Sequence, residues 1–216
     1  MVALRLVDYS EELDGIYCIE GTGLSSNVYA LGEADVTLID AGIGDAANRL
    51  LPELEDIGLH LEDTTQVVLT HAHPDHVGGL REILRVTSPR ILIHDSSKTF
   101  GKNSELNIFG LCEGDTIEAG GRGLTVLHTP GHTIGSICLY DSESKVLFSG
   151  DTVFPNGSFG RTDLDTGDEV AMVNSLERLT HLDVDFLLPG HMAPVIGHAH
   201  DHIVQSYGMA KSFFQY

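Results

Sequence analysis

Apolar residues along this chain fall in short runs separated by Gly, Asp and Pro, and the runs carry two periods. Residues 2–7 and 16–20 read as strands around the polar turn 8–15. Residues 27–31 and 36–40 read as a hairpin through Gly32-Glu33-Ala34-Asp35, because short apolar runs bounded by such residues mark strands. From Gly44-Asp45 to about Ile57 the period lengthens: Leu50, Leu51, Leu54 and Ile57 recur at helical spacing and predict a core-facing helix. Strand 67–69 follows, then a helix over 77–84 whose first turn carries Asp75 and His76. Strand 90–94 leads into residues 95–112, read as a short helix and a loop. Residues 115–117, 124–128, 136–140 and 146–148 predict four short strands. A helix over 168–180 sets Val170, Val173, Leu176 and Leu179 on one face, ahead of strand 186–188. A last helix over 199–214 bears the stripe Ile203, Tyr207, Ala210 and Phe214, read as core or as an oligomer contact.

Strands then a helix, twice over, predict an α+β fold of two mixed β-sheets packed face to face with helices on the outer faces. No Pro-rich or Ser-rich linker divides the halves, so residues 1–216 read as a single domain.

Composition narrows the setting. No apolar stretch approaches the ~20 residues that span a bilayer, and the first residues lack the basic start and apolar run of a secretory signal. Cys18, Cys112 and Cys138 are odd in number and far apart, so they read as small buried thiols of a reducing cytoplasm. The net charge of −20, from 32 carboxylates against 12 basic residues, argues against nucleic-acid or anionic-membrane partners. It fits a salt-adapted cytosolic protein or an ordinary acidic enzyme acting on a small molecule, as a monomer or homodimer.

The chemistry concentrates in Thr70-His71-Ala72-His73-Pro74-Asp75-His76, directly after an apolar strand. Imidazoles and carboxylates are the ligands of borderline divalent metals such as zinc. Three more polar residues follow apolar strands, each after a glycine: His132 in Pro130-Gly131-His132, Asp151 in Ser149-Gly150-Asp151-Thr152, and His191 in Pro189-Gly190-His191. His60, His94, His128 and His181 stand alone and read as non-ligands, with His128 nearest the site. His198, His200 and His202 repeat the motif superficially without a preceding strand, and read as the start of a helix near the cleft mouth rather than a third ion site.

The ordered set H-A-H-P-D-H, P-G-H, S-G-D-T, P-G-H resembles the metallo-β-lactamase superfamily across nearly the whole chain. That resemblance implies a four-layer αβ/βα sandwich with a two-metal site on one edge. His71, His73 and His132 would hold one ion, Asp75, His76 and His191 the other, and Asp151 would bridge them. The spacing agrees: His71 and His73 are two apart at a strand end and can face one ion, while Asp75 and His76 fan toward a second. The cofactors implied are two divalent ions, zinc foremost, with iron or manganese open. Zinc lowers the pKa of bound water to ~7, so a bridging hydroxide would attack, with Asp75 as ligand and proton acceptor. Asp40, Thr70, Thr129 and Thr133 are expected to support the ligands from behind.

His73, where a carboxylate would suggest the di-iron flavoprotein branch, argues for hydrolysis. Residues 150–164, with Gly160-Arg161-Thr162-Asp163, resemble small glyoxalase II-like thioester hydrolases. Persulfide dioxygenases share that run and use one iron; lactonase and phosphodiesterase chemistry are further alternatives. Pro189-Gly190-His191-Met192-Ala193-Pro194 looks like the hydrolase pattern. The glutathione-binding extension of full-length glyoxalase II is expected to be largely missing, leaving the carrier thiol open. Arg161 is read either as a bidentate contact to a substrate carboxylate or phosphate, or as an ion-pair partner of Asp163 or Asp165.

Overall fold

The computed structural model describes residues 2–97, 100–101 and 106–215, and in them the runs of the sequence close into two sheets. The first sheet holds β1 (Val2–Arg5), β2 (Ile16–Glu20), β3 (Val28–Leu31), β4 (Val36–Ile39), β5 (Thr64–Leu69), β6 (Arg90–His94) and β7 (Ile108–Leu111), in sequence order. Its first four strands are antiparallel and the rest parallel. The second sheet takes β8 (Thr116–Ala119), β9 (Arg122–His128), β10 (Ile137–Asp141), β11 (Val146–Gly150), β12 (Phe186–Pro189) and β13 (Val195–Ile196), with β11 and β12 parallel. Between strands lie helices α1 (Leu50–Asp56), α2 (Pro74–Val77), α3 (Leu80–Ile83) and α4 (Glu169–Leu179), and α5 (Ala199–Phe214) follows β13.

Alternation along single strands makes the layers, because successive side chains point to opposite faces of a sheet. In β5, Val68 faces the second sheet, where Leu92, Phe148 and Leu188 also pack, while Val67 and Leu69 face outward onto Leu50, Leu54 and Ile83 of the helices. In the second sheet Val146 and Phe148 point inward, and Leu147 points outward onto Met172 and Leu176 of α4 and Ile203 of α5. The result is helix, sheet, sheet, helix. Within the α5 stripe Ile203 and Ala210 are buried, and Tyr207 and Phe214 pack against the same cluster, so the stripe is core.

Several boundaries differ from the sequence pattern for identifiable reasons. The helix expected from residue 45 starts only at Leu50. Asn48 ties the preceding stretch down, accepting from the Thr22 N–H (2.9 Å) and donating to Asp45 (2.8 Å), while Glu82 accepts the Leu50 N–H (3.0 Å) in place of a local cap. The helix expected over 77–84 is two single turns, α2 and α3, parted at Gly78-Gly79. A Cβ on either glycine would overlap the carbonyl of Ile43 or Ala41, and the Gly79 N–H donates to Gly42 (3.0 Å) instead of continuing the helix. Residues 95–97 form one 3-10 turn and 108–111 are a strand where a loop was expected; 98–99 and 102–105 lie outside the described residues. Val170 is 48% exposed, with Met172 taking the place predicted for it under α4. Cys18 and Cys138 are buried as expected, whereas Cys112 is exposed. Among the described residues no helix is long and apolar enough to cross a membrane.

Candidate metal centre

Loops leaving the C-terminal ends of β5, β9, β11 and β12 meet at one edge of the sandwich, and each brings its polar residues there. After β5 the chain runs extended through His71 and His73, and Pro74 opens α2, so His73 sits at the turn into the helix while Asp75 and His76 ride its first turn. His71 and His76 are fully buried; His73, Asp75 and His191 remain partly open to solvent. Gly190 lies so close to Asp151 and His76 that a side chain there would displace the carboxylate.

Three nitrogens converge first. His71 Nε2 lies 3.0 Å and His132 Nε2 2.9 Å from His73 Nδ1. Their partners fix which nitrogen is bare. The Arg161 carbonyl can only accept, so His132 Nδ1 carries the proton donated to it (2.8 Å). Asp40 accepts from the Thr70 N–H, the Thr70 hydroxyl and His76 Nδ1, each at 2.8 Å. Having given its proton to Asp40, the Thr70 hydroxyl accepts from His71 Nδ1 (3.1 Å). The Nε2 atoms of His71, His76 and His132 are therefore left with lone pairs aimed into one space, as second-layer hydrogen bonds do for metal-binding histidines.

Carboxylates complete a second group. Asp151 stands between the two, its Oδ1 3.3 Å from His76 Nε2 and its Oδ2 3.5 Å from His132 Nε2 and 3.6 Å from His191 Nε2. Asp75 Oδ2 lies 3.2 Å from His191 Nε2 and 3.9 Å from His76 Nε2. The donor atoms form three mutually close sets: His71, His73 and His132; His71, His76 and Asp151; and Asp75, His76 and His191.

These residues fit two divalent ions. Donors bound at ~2.0–2.1 Å around a tetrahedral ion lie roughly 3.3 Å from each other, close to the spacings seen. His76 Nε2 and Asp151 Oδ1 are buried, form no well-made hydrogen bond with any described residue and have only each other, at 3.3 Å, an arrangement that a cation bound by both would relieve. Burial and the neighbouring imidazoles hold His71 well below the ordinary histidine range, so it stays a neutral ligand. Burial alone would lower His76 too, but Asp40 and Asp151 outweigh it and hold it well above that range. That site calls for positive charge on Nε2.

The supporting residues divide. Asp40 and Thr70 touch ligands directly. Thr129 bonds Thr152 (2.9 Å) and Thr133 bonds Ser136 (2.8 Å), so both brace loops rather than ligands. Two supports left no sequence signal: the Arg161 carbonyl, and a clamp from Asn27 and Tyr29. The Asn27 N–H donates to Gly190 (2.7 Å), its Nδ2 to Pro189 (3.0 Å) and Met192 (2.7 Å), and the Tyr29 hydroxyl to Pro189 (2.8 Å). Together they hold the His191 loop. The Arg161 side chain makes the ion pair left open by the sequence, a two-point contact to Asp163 at 2.7 Å, which holds that exposed carboxyl down to about 2.

The remaining histidines go elsewhere. His94 stacks on His128 at 3.9 Å, and His128 donates to the Ile134 carbonyl rather than to a ligand. His202 accepts from the Asn156 N–H (2.9 Å) and His200 donates to the Leu182 carbonyl (3.1 Å), so the 198–202 run does not gather into a site.

A cleft of about 600 Å³ opens over the centre, lined by His73, Asp75, His132, Asp151 and His191 together with Leu24, Phe154, Phe159, Leu164 and Met192. A cavity of similar volume at residues 32–37 and 118–121 contains none of these ligands.

Comparison with known proteins agrees with this architecture. A family model described as the metallo-β-lactamase superfamily matches residues 21–191. A probable metallo-hydrolase of Methanocaldococcus jannaschii is 33% identical over 192 residues, covering 80% of this chain and 90% of that protein. A hydroxyacylglutathione hydrolase of Haemophilus influenzae is 31% identical over 177 residues, 74% of this chain and 81% of its own. Another, from Synechococcus, is 37% identical over 155 residues, 72% of this chain but only 58% of that longer enzyme. Among solved structures, a metallo-β-lactamase family protein of Thermus thermophilus has a TM-score of 0.77 at 24% identity, covering 93% of this chain and 79% of the other. A protein crystallised in a di-iron-bound form has a TM-score of 0.70 at 29% identity, covering 83% and 93%. With its two-sheet sandwich and its ordered run of histidines and aspartates, the chain belongs to the metallo-β-lactamase superfamily.

Proposed function

We propose that the protein is a di-metal hydrolase, zinc-dependent, that cleaves thioester or closely related ester bonds. The observation that carries this reading is the donor set: five imidazoles and two carboxylates around one cleft, with His73 supplying nitrogen where a redox-active relative would supply a carboxylate. Two divalent ions bound there would supply a water that ionises near neutral pH and a positive charge facing the substrate carbonyl.

The chain's own residues do the rest. Asp40 and the Arg161 carbonyl hold the ligand imidazoles in one tautomer through the reaction. Asp75, half-open on the cleft wall, accepts the proton of the attacking water at its carboxylate and passes it to the departing group. No acid outside the ligand set lines the cleft among the described residues. A leaving group that needs strong protonation is therefore poorly served, whereas a thiol, with a pKa near ~8.5, departs largely as its own anion. That favours thioesters over amides, and it accords with the relatives named hydroxyacylglutathione hydrolases.

Metal analysis followed by a thioester panel tests the proposal. Two ions per chain and release of one free thiol per acid formed are the expected results. One iron per chain with oxygen uptake on a persulfide would replace this reading with the dioxygenase one. The solved relative in a di-iron-bound form makes iron the metal to compare first against zinc.

A further inference from the structure

We infer that the apolar residues lining the cleft beside the metal ligands form an acyl-chain site, so that the substrates are thioesters whose acyl part is an uncharged hydrocarbon chain. The inference rests on the thioester reading and names its substrate class. Leu24 is 78% exposed, Met192 54% and Leu164 38%, and these three large apolar side chains line one cleft together with Phe154 and Phe159. Gathered exposure of that kind serves a ligand, not the fold. Phe159 is backed by Phe214, ring centroids 5.6 Å apart, and by Phe213 at 6.4 Å, which extends the apolar wall to the end of α5.

Met192 adds an independent sign. Its backbone is left-handed (φ +70), a conformation that long side chains avoid and that persists where surrounding structure imposes it. The Asn27 side chain holds this loop by donating to the Met192 carbonyl (2.7 Å). A glycine would relax that strain; the chain keeps a thioether over the cleft instead.

Charge away from the metal ligands points the same way. Arg161 is the single cation among the described lining residues, and Asp163 takes both its Nε and Nη2 at 2.7 Å. Beyond the metal ligands, a carboxylate-bearing acyl group would find its one candidate cation among the described lining residues already paired, in a chain of net charge −20. Carrier thiols are themselves polar and hydrogen-bonding along their length, so the apolar part of a thioester is its acyl chain.

Alkyl hydroxamates test this without any turnover, since they bind through a metal centre and are not cleaved. Calorimetry on the zinc-loaded protein, from acetyl to octanoyl hydroxamate, should show Kd falling by about two- to fourfold per methylene. A carboxylate-ended hydroxamate of octanoyl length should bind about tenfold more weakly than octanoyl itself. Leu24→Asp, at a surface position, should flatten the series, and Asp163→Asn, by freeing Arg161, should shrink the carboxylate penalty. A flat wild-type series, a preference for the carboxylate-ended probe, or an unchanged slope in Leu24→Asp would overturn the inference even if thioesters are hydrolysed. A steep series with no thioester turnover would keep the acyl site and sink the thioester reading instead.

Discussion

His76 and His191 face each other across the candidate centre, their rings 5.3 Å apart, yet the protein secures them by opposite means. His76 is fully buried and anchored from the neighbouring strand: Asp40, just past β4, holds it and Thr70 together through three 2.8 Å bonds. His191 is partly exposed and anchored from the other sheet, through backbone carbonyls gripped by Asn27 and Tyr29. One ligand is positioned by a charge on its ring. The other is positioned by the shape of its loop. The first arrangement tunes the basicity of the metal-facing nitrogen; the second tunes only where that nitrogen sits.

Asp40→Asn should separate these roles most sharply. Residue 40 is left-handed (φ +60), which Asn tolerates, so the backbone survives while the anionic acceptor is lost. Metal affinity should fall roughly 10- to 100-fold by chelator competition, and undiminished binding of both ions would show that ring charge is unimportant here. Asn27→Ala should come next. It should cost roughly 1–3 kcal/mol of stability, because the Met192 carbonyl and the Gly21 N–H lose their partner, and weaken one ion by about tenfold, giving a two-step chelator titration. Equal weakening of both ions would erase the contrast between the two anchors.

Thiol labelling sharpens the comparison at smaller scale. Burial pushes Cys18 up to about 12 and Cys138 up to about 11, so at pH 8 only Cys112 should react in the folded, metal-loaded protein. Cys18 lies in the core between the sheets, while Cys138 bonds Thr129 (3.4 Å) in the loop that leads to His132. Chelation should therefore speed labelling of Cys138 more than of Cys18; equal rates would mean that the loops keep their packing without ions. Thr133→Val should do least, with metal affinity within about twofold and stability lower by about 0.5–1.5 kcal/mol, since among the described residues the hydroxyl bonds only Ser136.

What could be read in advance follows from how local each device is. The ligands were legible because each follows an apolar strand within a few residues, and strand ends are where a sandwich brings side chains to one edge. Asp40 was legible through the resemblance alone. The Arg161 carbonyl was not, because a backbone acceptor has no residue type, and the arginine drew attention to its side chain instead. Asn27 looked like the first residue of a strand, since nothing near it reveals partners on Pro189 and Met192. The late start of α1 and the break at Gly78-Gly79 escaped for the same reason: Thr22, Glu82 and the Ala41 and Ile43 carbonyls act from a distance. Strand β7 escaped because its middle residues Phe109 and Gly110 are exposed, so no apolar alternation announced it.

The Asn27–Pro189 bond spans 162 positions of the chain, and that separation sets an order in time. During synthesis Asp40, Thr70 and His76 can find one another as soon as the first sheet forms. The His191 loop has no seat until the second sheet has closed against Asn27, a long-range event of the slow kind. On refolding, capture of the ion that Asp75, His76 and His191 would share should therefore wait for that closure, and its arrival would report that the two halves have finished docking.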